Sequence, residues 1–314
     1  MASAVHHDFI FRGPLKVEDV VKLGNQLSTE AASLLCKELL FTNTNVIDRV
    51  VLGQLRDDLT DGADGHFFAT DERTDFRAAG CRFDIPANIE TGNGKPETEK
   101  AALRGIVRDS LFYGVMNGTL HPILKIYEDN LIKFLEYMLL LLLLTGAQPD
   151  QLSERPRADH TRHPDGAVGE LASITHVNDG PNVRNVVIMD GRVTIITPNR
   201  FRGAKTSLLY RSPWPVVSKL LVVYLVSVRP FFATLAADHP IARSGRLFED
   251  ENEPSFQWST QRYREIVRRE TQARLGKSLT IEKINSVLVR HLKAVEPELV
   301  APGMMAVVSD VVLD

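Results

Sequence analysis

Two groups of basic side chains in this sequence have the residue types and the spacing to bind phosphate. One lies within residues 200–211, where no acidic residue occurs, and the other has helical spacing within residues 262–269. The members are Arg200, Arg202, Lys205 and Arg211 in the first group, and Arg262, Arg264, Arg268 and Arg269 in the second. Guanidinium groups bind phosphate oxygens in bidentate pairs, and such contacts position a protein on the DNA backbone. The pattern predicts a DNA-binding surface; the alternative is a helix face whose arginines pair with Glu265 and Glu270.

Neither a metal site nor a cofactor site is expected from the acidic and histidine residues. Aspartates recur within residues 57–95, but their spacing does not fit an EF-hand loop, so a solvated acidic loop is predicted there. His160 and His163 are three positions apart, but the prolines around them argue against a regular element that would hold two metal ligands. The sequence also contains no Gly-x-x-x-x-Gly-Lys-Ser/Thr phosphate loop, and its spacing suggests no Ser-His-Asp or Cys-His arrangement.

The charge distribution allows contact with nucleic acid without requiring it. The 314 residues carry 37 Lys and Arg against 40 Asp and Glu, a formal net charge of −3. Residues 1–100 hold 11 of the basic and 17 of the acidic residues, whereas residues 181–277 hold 16 and 8. Cys36 and Cys81 are too few for a disulfide framework, and residues 1–8 show no secretory signal pattern. An intracellular protein is therefore expected, and DNA binding would place it in the nucleus.

The elements that would position the basic groups are mostly helices. A leucine-rich helix is predicted over residues 121–146, and its fully apolar run, 137–144, is too short to cross a membrane and so indicates a core helix. A second apolar helix is predicted over residues 216–228, where Pro230 should end it. The second basic group lies in a helix predicted over residues 260–275.

Further helices are predicted on either side of these elements. Residues 17–27 and 29–59 should form two helices, with Ser28 and Thr29 as caps between them. Another should follow Pro96 and end near residue 118, and the last should begin near Thr280. Its buried stripe is predicted to contain Ile281, Ile284, Leu288 and Leu292.

One β-hairpin is predicted around Asp190-Gly191. This dipeptide separates residues 185–189 from residues 192–196, two runs rich in β-branched side chains, and Asp-Gly is a strong signal for a two-residue hairpin turn. The expected fold is therefore mainly α with a small β-hairpin sheet, in the α+β class.

Several phrases of the sequence, taken together and in order, resemble the tyrosine-recombinase-like module of fungal proteins that often carry a RecQ-type helicase and occur near telomeres or in mobile elements. That family has a leucine-rich helix ending in Thr-x-x-Gln-Pro-x-Arg, then Glu-Leu, Arg-Asn, an Asp-Gly hairpin and a Val-Ser-x-Leu-Leu-x-x-Tyr-Leu helix. The matching residues here are Thr145, Gln148-Pro149, Glu170-Leu171, Arg184-Asn185, Asp190-Gly191, Arg211, 217–225 and 258–279. About half of the chain is covered.

The resemblance also implies where catalytic residues should lie. A tyrosine recombinase holds the phosphate with arginines and protonates the leaving oxygen with Lys or His. The positions that match the family motif are Gln151, Arg200, Asn285 and Ser286, with Lys205 as a substitute proton donor. Glutamine has no charge, arginine gives up a proton poorly, and Asn285 and Ser286 stand where the family has Arg-His. A shifted site would use Arg290-His291 and an arginine of the insert at residues 152–168.

The nucleophile of this reaction is also missing from its expected place. No tyrosine follows Ser286 in the sequence, and the last tyrosine, Tyr263, forms a predicted core stripe with Ile266 and Val267. The chain is therefore not expected to complete the reaction alone.

These observations favour a degenerate recombinase-like module of three parts. They are a helical N-terminal domain (1–120), a recombinase-like second domain (121–296) and a C-terminal tail (297–314). The expected function is DNA association without catalysis, as a remnant of a mobile or telomere-linked element, with DNA, a second copy of the chain or a helicase as partner and no membrane. The alternatives are a working or partner-assisted DNA strand-exchange enzyme and a scaffold without a nucleic-acid role.

Overall fold

The first helix, α1 (Val17–Leu34), is continued by a π-helical turn, Leu35–Leu39. The computed structural model describes residues 15–83, 122–145, 171, 173–179, 183–199, 207–236, 239–250, 257–284 and 286–288. The predicted break at Ser28 and Thr29 is wrong, because both hydroxyls donate to the carbonyl of Asn25 one turn back and leave the helix intact.

The predicted helix over residues 29–59 is also wrong beyond residue 39. Phe41 has a φ of 51°, which ends the helix, and the amide N–H of Thr42 returns to the carbonyl of Cys36. Two short 3₁₀ turns follow, Ile47–Arg49 and Leu52–Gln54. Before the first of these turns, the side chains of Thr42 and Asn45 accept the backbone N–H groups of Thr44 and Ile47, which competes with helix formation.

The leucine-rich helix, α2 (Pro122–Thr145), confirms the prediction of a core helix. Every residue from 137 to 144 is buried, so other elements surround this half of the helix. One neighbour is α1, and the Tyr127 hydroxyl donates at 3.1 Å to the carbonyl of Leu39 in the π-helical turn that continues α1.

The predicted hairpin is confirmed, and a third strand completes its sheet. The antiparallel strands lie in the order β1 (Val186–Met189), β2 (Arg192–Asn199) and β3 (Ser207–Arg211). Asp190 and Gly191 have φ values of 51° and 71°, the left-handed pair that a type I′ turn requires. A side chain at Gly191 would also come within 2.8 Å of the Gly53 Cα atom.

The second apolar helix continues past the proline that was predicted to end it. It consists of α3 (Pro215–Val223), a π-helical turn (Tyr224–Val228) and α4 (Arg229–Leu235). In the π turn the Arg229 N–H bonds to the carbonyl of Tyr224, five residues back, so the turn widens just before Pro230. A widened turn leaves room for the proline ring, which clashes with the preceding turn of a regular helix, and it tolerates the missing N–H of the proline.

The combined segment Pro215–Leu235 is long and apolar enough, by length and composition, to cross a membrane. Of its most apolar window, 78% is buried inside the protein, and core helices pass the same test.

Two helices, α5 (Pro240–Arg243) and α6 (Thr260–Leu275), follow the second apolar helix along the chain. The first is a one-turn helix, and α6 has the predicted bounds. The Ser259 hydroxyl caps its start, and Gly276, with a φ of 63°, ends it. Tyr263, Ile266 and Val267 are buried as predicted.

A further helical stretch occupies residues 281–284 and 286–288. Ile281, Ile284 and Val287 are buried there and Leu288 is half-buried, whereas Leu292 lies outside the described residues.

The described residues form a mostly helical α+β fold with one small antiparallel sheet. Their buried apolar side chains, from Leu15 to Val287, belong to one cluster, with the exception of Val187. The division into residues 1–120, 121–296 and 297–314 stays a prediction, and the helix expected after Pro96 lies outside the described residues.

Candidate nucleic-acid interface

The arginines of α6 differ in what surrounds them, and this decides which of them could meet a phosphate. Arg262 lies flat on Trp258, with its guanidinium carbon 4.2 Å from the ring centroid. Its Nη1 is also 4.0 Å from a carboxylate oxygen of Asp250. Cation–π contact and ion pairing hold this side chain against the protein.

Arg269 and Arg274 belong to a second arrangement, a group of ion pairs that we call the Glu270 cluster. Its members, from α1, α2 and α6, are Glu30, Lys133, Glu136, Arg269, Glu270 and Arg274. Glu270 is the centre, because it accepts from the Lys133 ammonium at 2.6 Å, from Arg269 at 2.8 Å and from Arg274. Arg269 also binds Glu136, and Arg274 also binds Glu30.

The cations of this cluster keep Glu270 ionised. Burial alone would raise the pKa of this carboxyl, since only 3% of the residue is exposed. Hydrogen bonds from Lys133 and Arg269 outweigh burial and hold the pKa below its usual value of 4.5. The cluster therefore joins three helices through charged hydrogen bonds, and two arginines of α6 already have carboxylate partners.

Two further arginines of α6, Arg264 and Arg268, lie outside the Glu270 cluster. Arg268 is exposed and Arg264 is half-buried, and they are four positions apart, on one side of the helix. Glu265 lies beside them and accepts from Gln261 at 2.6 Å. Arg268 is the more accessible of the two, and a phosphate surface on this helix stays a prediction.

The first basic group falls mostly outside the described residues. Arg200, Arg202 and Lys205 lie there, so their part in a DNA surface stays a prediction. Arg211, at the end of β3, is only 6% exposed. A guanidinium buried to this extent is unsuited to contact a bulky duplex.

The positions that match the recombinase motif are also largely outside the described residues. Gln151, Arg200 and Asn285, the shifted pair Arg290-His291 and the whole insert 152–168 lie there, together with His160 and His163. Ser286 is described; it is exposed and its hydroxyl donates to the carbonyl of Lys283 at 2.9 Å. Within the described part of the chain, no group of three or more His, Cys, Asp or Glu could hold a metal ion.

The tyrosines within the described part of the chain are poorly placed to act as nucleophiles. Tyr263 is 1% exposed, its hydroxyl has no hydrogen-bond partner among the described residues, and burial raises its pKa. Burial also raises the pKa of Tyr127 and of Tyr137. Tyr224 is fully buried, and Arg229 donates to its hydroxyl at 3.1 Å. Tyr210, on β3, is half-buried.

Arg184 and Asn185, the Arg-Asn pair of the family pattern, form hydrogen bonds to other segments of the chain. Arg184 donates to the Asp57 carboxylate at 2.8 Å, and the exposed fractions of the two side chains are 2% and 0%. The second oxygen of Asp57 accepts the N–H of Ile188 on β1 at 3.0 Å. Asn185 accepts the N–H of Thr175 at 2.8 Å. This pair therefore ties the sheet to distant chain segments.

The buried Asp57 also corrects the prediction of a solvated acidic loop. The side chain of Asp57 is buried, and so is Asp71, whose pKa Arg73 lowers to about 2. The loop also contributes Phe68 and Phe76 to the core. Asp61, Asp64 and Asp75 are exposed as predicted, and residues 84–95 lie outside the described residues.

Sequence reasoning missed Asp57 and the residues that α1 and α2 contribute to the Glu270 cluster. The alternative that arginines of α6 pair with Glu270 is confirmed for Arg274, which lies four positions after it. Lys133 and Glu136, three positions apart on α2, form a further local ion pair at 3.5 Å. The remaining partners come from other elements.

Comparisons with protein-family models, with curated proteins and with solved structures found no match. The resemblance to tyrosine recombinases therefore depends on the sequence phrases alone.

Proposed function

We propose that this chain is a catalytically inactive, tyrosine-recombinase-like module that associates with DNA in the nucleus through phosphate contacts. The observation that carries the proposal is the position of the exposed Arg268, with the half-buried Arg264 about one turn away on the same side of α6. The Glu270 cluster fixes that helix to two others, so the two cations sit on a rigid support.

The absence of catalysis is proposed from the residues that the chemistry needs. Gln151, Asn285 and Ser286 stand at positions where the family has charged or ionisable groups. The last tyrosine of the sequence, Tyr263, is buried in the core. As an expected outcome, no covalent protein–DNA adduct forms with a nicked duplex on a denaturing gel. An adduct would favour the strand-exchange alternative.

The test of DNA association is a salt series with purified protein and duplex DNA. Two phosphate contacts should give a plot of log affinity against log salt with a slope of about −2, since each contact contributes about −0.9. In the double variant Arg264→Ala, Arg268→Ala the affinity at low salt and the slope should both fall towards zero.

A matched control removes two cations elsewhere. Lys22 and Arg49 are exposed on other elements, so Lys22→Ala with Arg49→Ala makes the same change in net charge. This control should bind DNA like the unaltered protein. If both double variants lose the same affinity, net charge explains the binding, and α6 is not the contact surface.

A scaffold without a nucleic-acid role is the second candidate. It is favoured by the internal pairing of Arg262, Arg269 and Arg274 and by the formal net charge of −3. Absence of binding at about 50 mM salt, where phosphate contacts are strong, would support it. A second copy of the chain and a helicase stay proposed partners of the module.

A further inference from the structure

An open cleft of about 330 Å³ lies between the C-terminal half of α1, residues 43–48 and the start of α3. It is separate from the proposed DNA surface, because α6 contributes no residue to its lining. Its polar lining includes Ser33, Lys37, Asn43, Thr44 and Asp48.

The π-helical turn Leu35–Leu39 shapes one wall of this cleft. The N–H of Leu40 bonds to the carbonyl of Leu35, five residues back, so this turn holds one residue more than an ordinary turn. The chain then folds back, because the N–H of Thr42 donates to the Cys36 carbonyl at 2.8 Å. Such π turns occur frequently at functional sites.

The opposite wall is held by the side chain of Asn45. Its amide nitrogen donates to the Asp48 carboxylate at 2.9 Å, and its amide oxygen accepts the N–H of Ile47 at 3.1 Å. One carboxylate of the cleft is thereby oriented before any ligand arrives. Preorganisation of this kind lowers the entropic cost of binding.

The cleft contains one charge of each sign beside a neutral thiol. Lys37 and Asp48 are both exposed, and both act electrostatically on the Cys36 thiol. Burial raises the pKa of this thiol, Asp48 adds to the rise and Lys37 opposes it. Because the thiol remains protonated at neutral pH, the cleft is suited to reversible binding rather than to covalent capture.

We propose that this cleft binds a small zwitterion, an amino acid with a polar side chain, with its carboxylate on Lys37 and its ammonium group on Asp48. A ligand with a single charge would be attracted by one of these residues and repelled by the other, whereas a zwitterion gains at both. The hydroxyl and amide groups of Ser33, Asn43 and Thr44 offer hydrogen bonds to the side chain of the ligand.

Three related compounds test this assignment by calorimetric titration of the full chain. The probe is L-glutamine, and the controls are N-acetyl-L-glutamine, which lacks the ammonium group, and L-glutaminamide, which lacks the carboxylate. L-glutamine should bind, and each control should bind about two- to fivefold more weakly, the range that an exposed ion pair supports. Absence of binding at a ligand concentration of about 10 mM, ten times a dissociation constant of about 1 mM, would overturn the proposal. Equal binding of the three compounds would overturn it as well.

Two variants assign the charges to their residues. Asp48→Asn should abolish the preference for L-glutamine over N-acetyl-L-glutamine, because the partner of the ammonium group is gone. Lys37→Met should abolish the preference for L-glutamine over L-glutaminamide, because the partner of the carboxylate is gone. Lys22→Met and Glu18→Gln, at exposed positions of α1, should leave both preferences unchanged. Preferences that persist in the Asp48 and Lys37 variants would place the ligand elsewhere and reject the cleft.

Discussion

The buried pair Asp57–Arg184 and the Glu270 cluster both join distant parts of the chain through ion pairs, but water reaches them differently. The side chains of Asp57 and Arg184 are almost fully buried and form an ion pair at 2.8 Å, and His66 Nε2 lies 3.8 Å from the same carboxylate. In the Glu270 cluster the carboxylate is shared by three cations, and half of the Arg269 side chain is exposed. Removing Asp57 should therefore cost more than removing Glu270, because it leaves the buried guanidinium of Arg184 without the carboxylate that pairs with it.

The largest effect is expected from Asp57→Ala. The substitution leaves the guanidinium of Arg184 buried without a charged partner, and breaking such a pair costs about 3–5 kcal/mol. The free energy of unfolding, measured by urea denaturation, should fall by this amount.

The control for this prediction is Asp64→Ala, at an exposed position of the same loop. Surface substitutions of this kind usually change stability by less than about 0.5 kcal/mol. Equal losses in the free energy of unfolding of the two variants would mean that Asp57 contributes no more to stability than an exposed aspartate.

Glu270→Gln should have a smaller effect. The amide keeps the shape of the side chain, but it removes the charge that Lys133, Arg269 and Arg274 share. A loss of about 1–3 kcal/mol is expected in the same measurement, because water can solvate the exposed parts of Lys133 and Arg269. A loss as large as that of Asp57→Ala would remove the contrast between the two sites.

The contribution of Glu270 should also depend on pH in a defined direction. Its pKa is lower in the folded protein than the usual 4.5, so the ionised form is stabilised by folding. This stabilisation is fully present above the unfolded pKa and is lost as the pH falls through the folded pKa. The stability difference between the unaltered protein and Glu270→Gln should therefore shrink between pH 7 and about pH 3. A difference that grows on acidification would contradict the assigned direction.

The smallest effects distinguish two adjacent residues of α6. Arg269→Ala loses the bonds to Glu136 and Glu270 and should destabilise the protein by about 0.5–1 kcal/mol, a figure reduced because the side chain is half exposed. Arg268→Ala, on the exposed side, should change stability by less than about 0.5 kcal/mol. Thermal unfolding of the two variants side by side measures the difference. If Arg268→Ala is the more destabilising, Arg268 has a structural role that conflicts with its proposed availability to DNA.

Prediction from the sequence succeeded for elements whose signals are local. The start and end of α6 depend on Ser259 and Gly276, which flank it directly, and the type I′ turn depends on Asp190 and Gly191 themselves. Prediction failed where the surrounding structure overrode a local signal. Ser28 was predicted to break α1, but its hydroxyl is satisfied within the helix. Pro230 was predicted to end the second apolar helix, but the widened π turn before it relieves the clash.

For the candidate site, the sequence by itself determined the positions of the arginines along a helix and the absence of a tyrosine after Tyr263. Only the tertiary structure decided which arginines have partners. Arg269 meets Glu136 across 133 positions of the chain, and Arg184 meets Asp57 across 127. Residue spacing reports on neighbours within a turn or a hairpin, whereas burial of a charge depends on which distant elements pack around it. The sequence therefore predicted the helix, and packing decided that its residues Arg269 and Arg274 join distant elements.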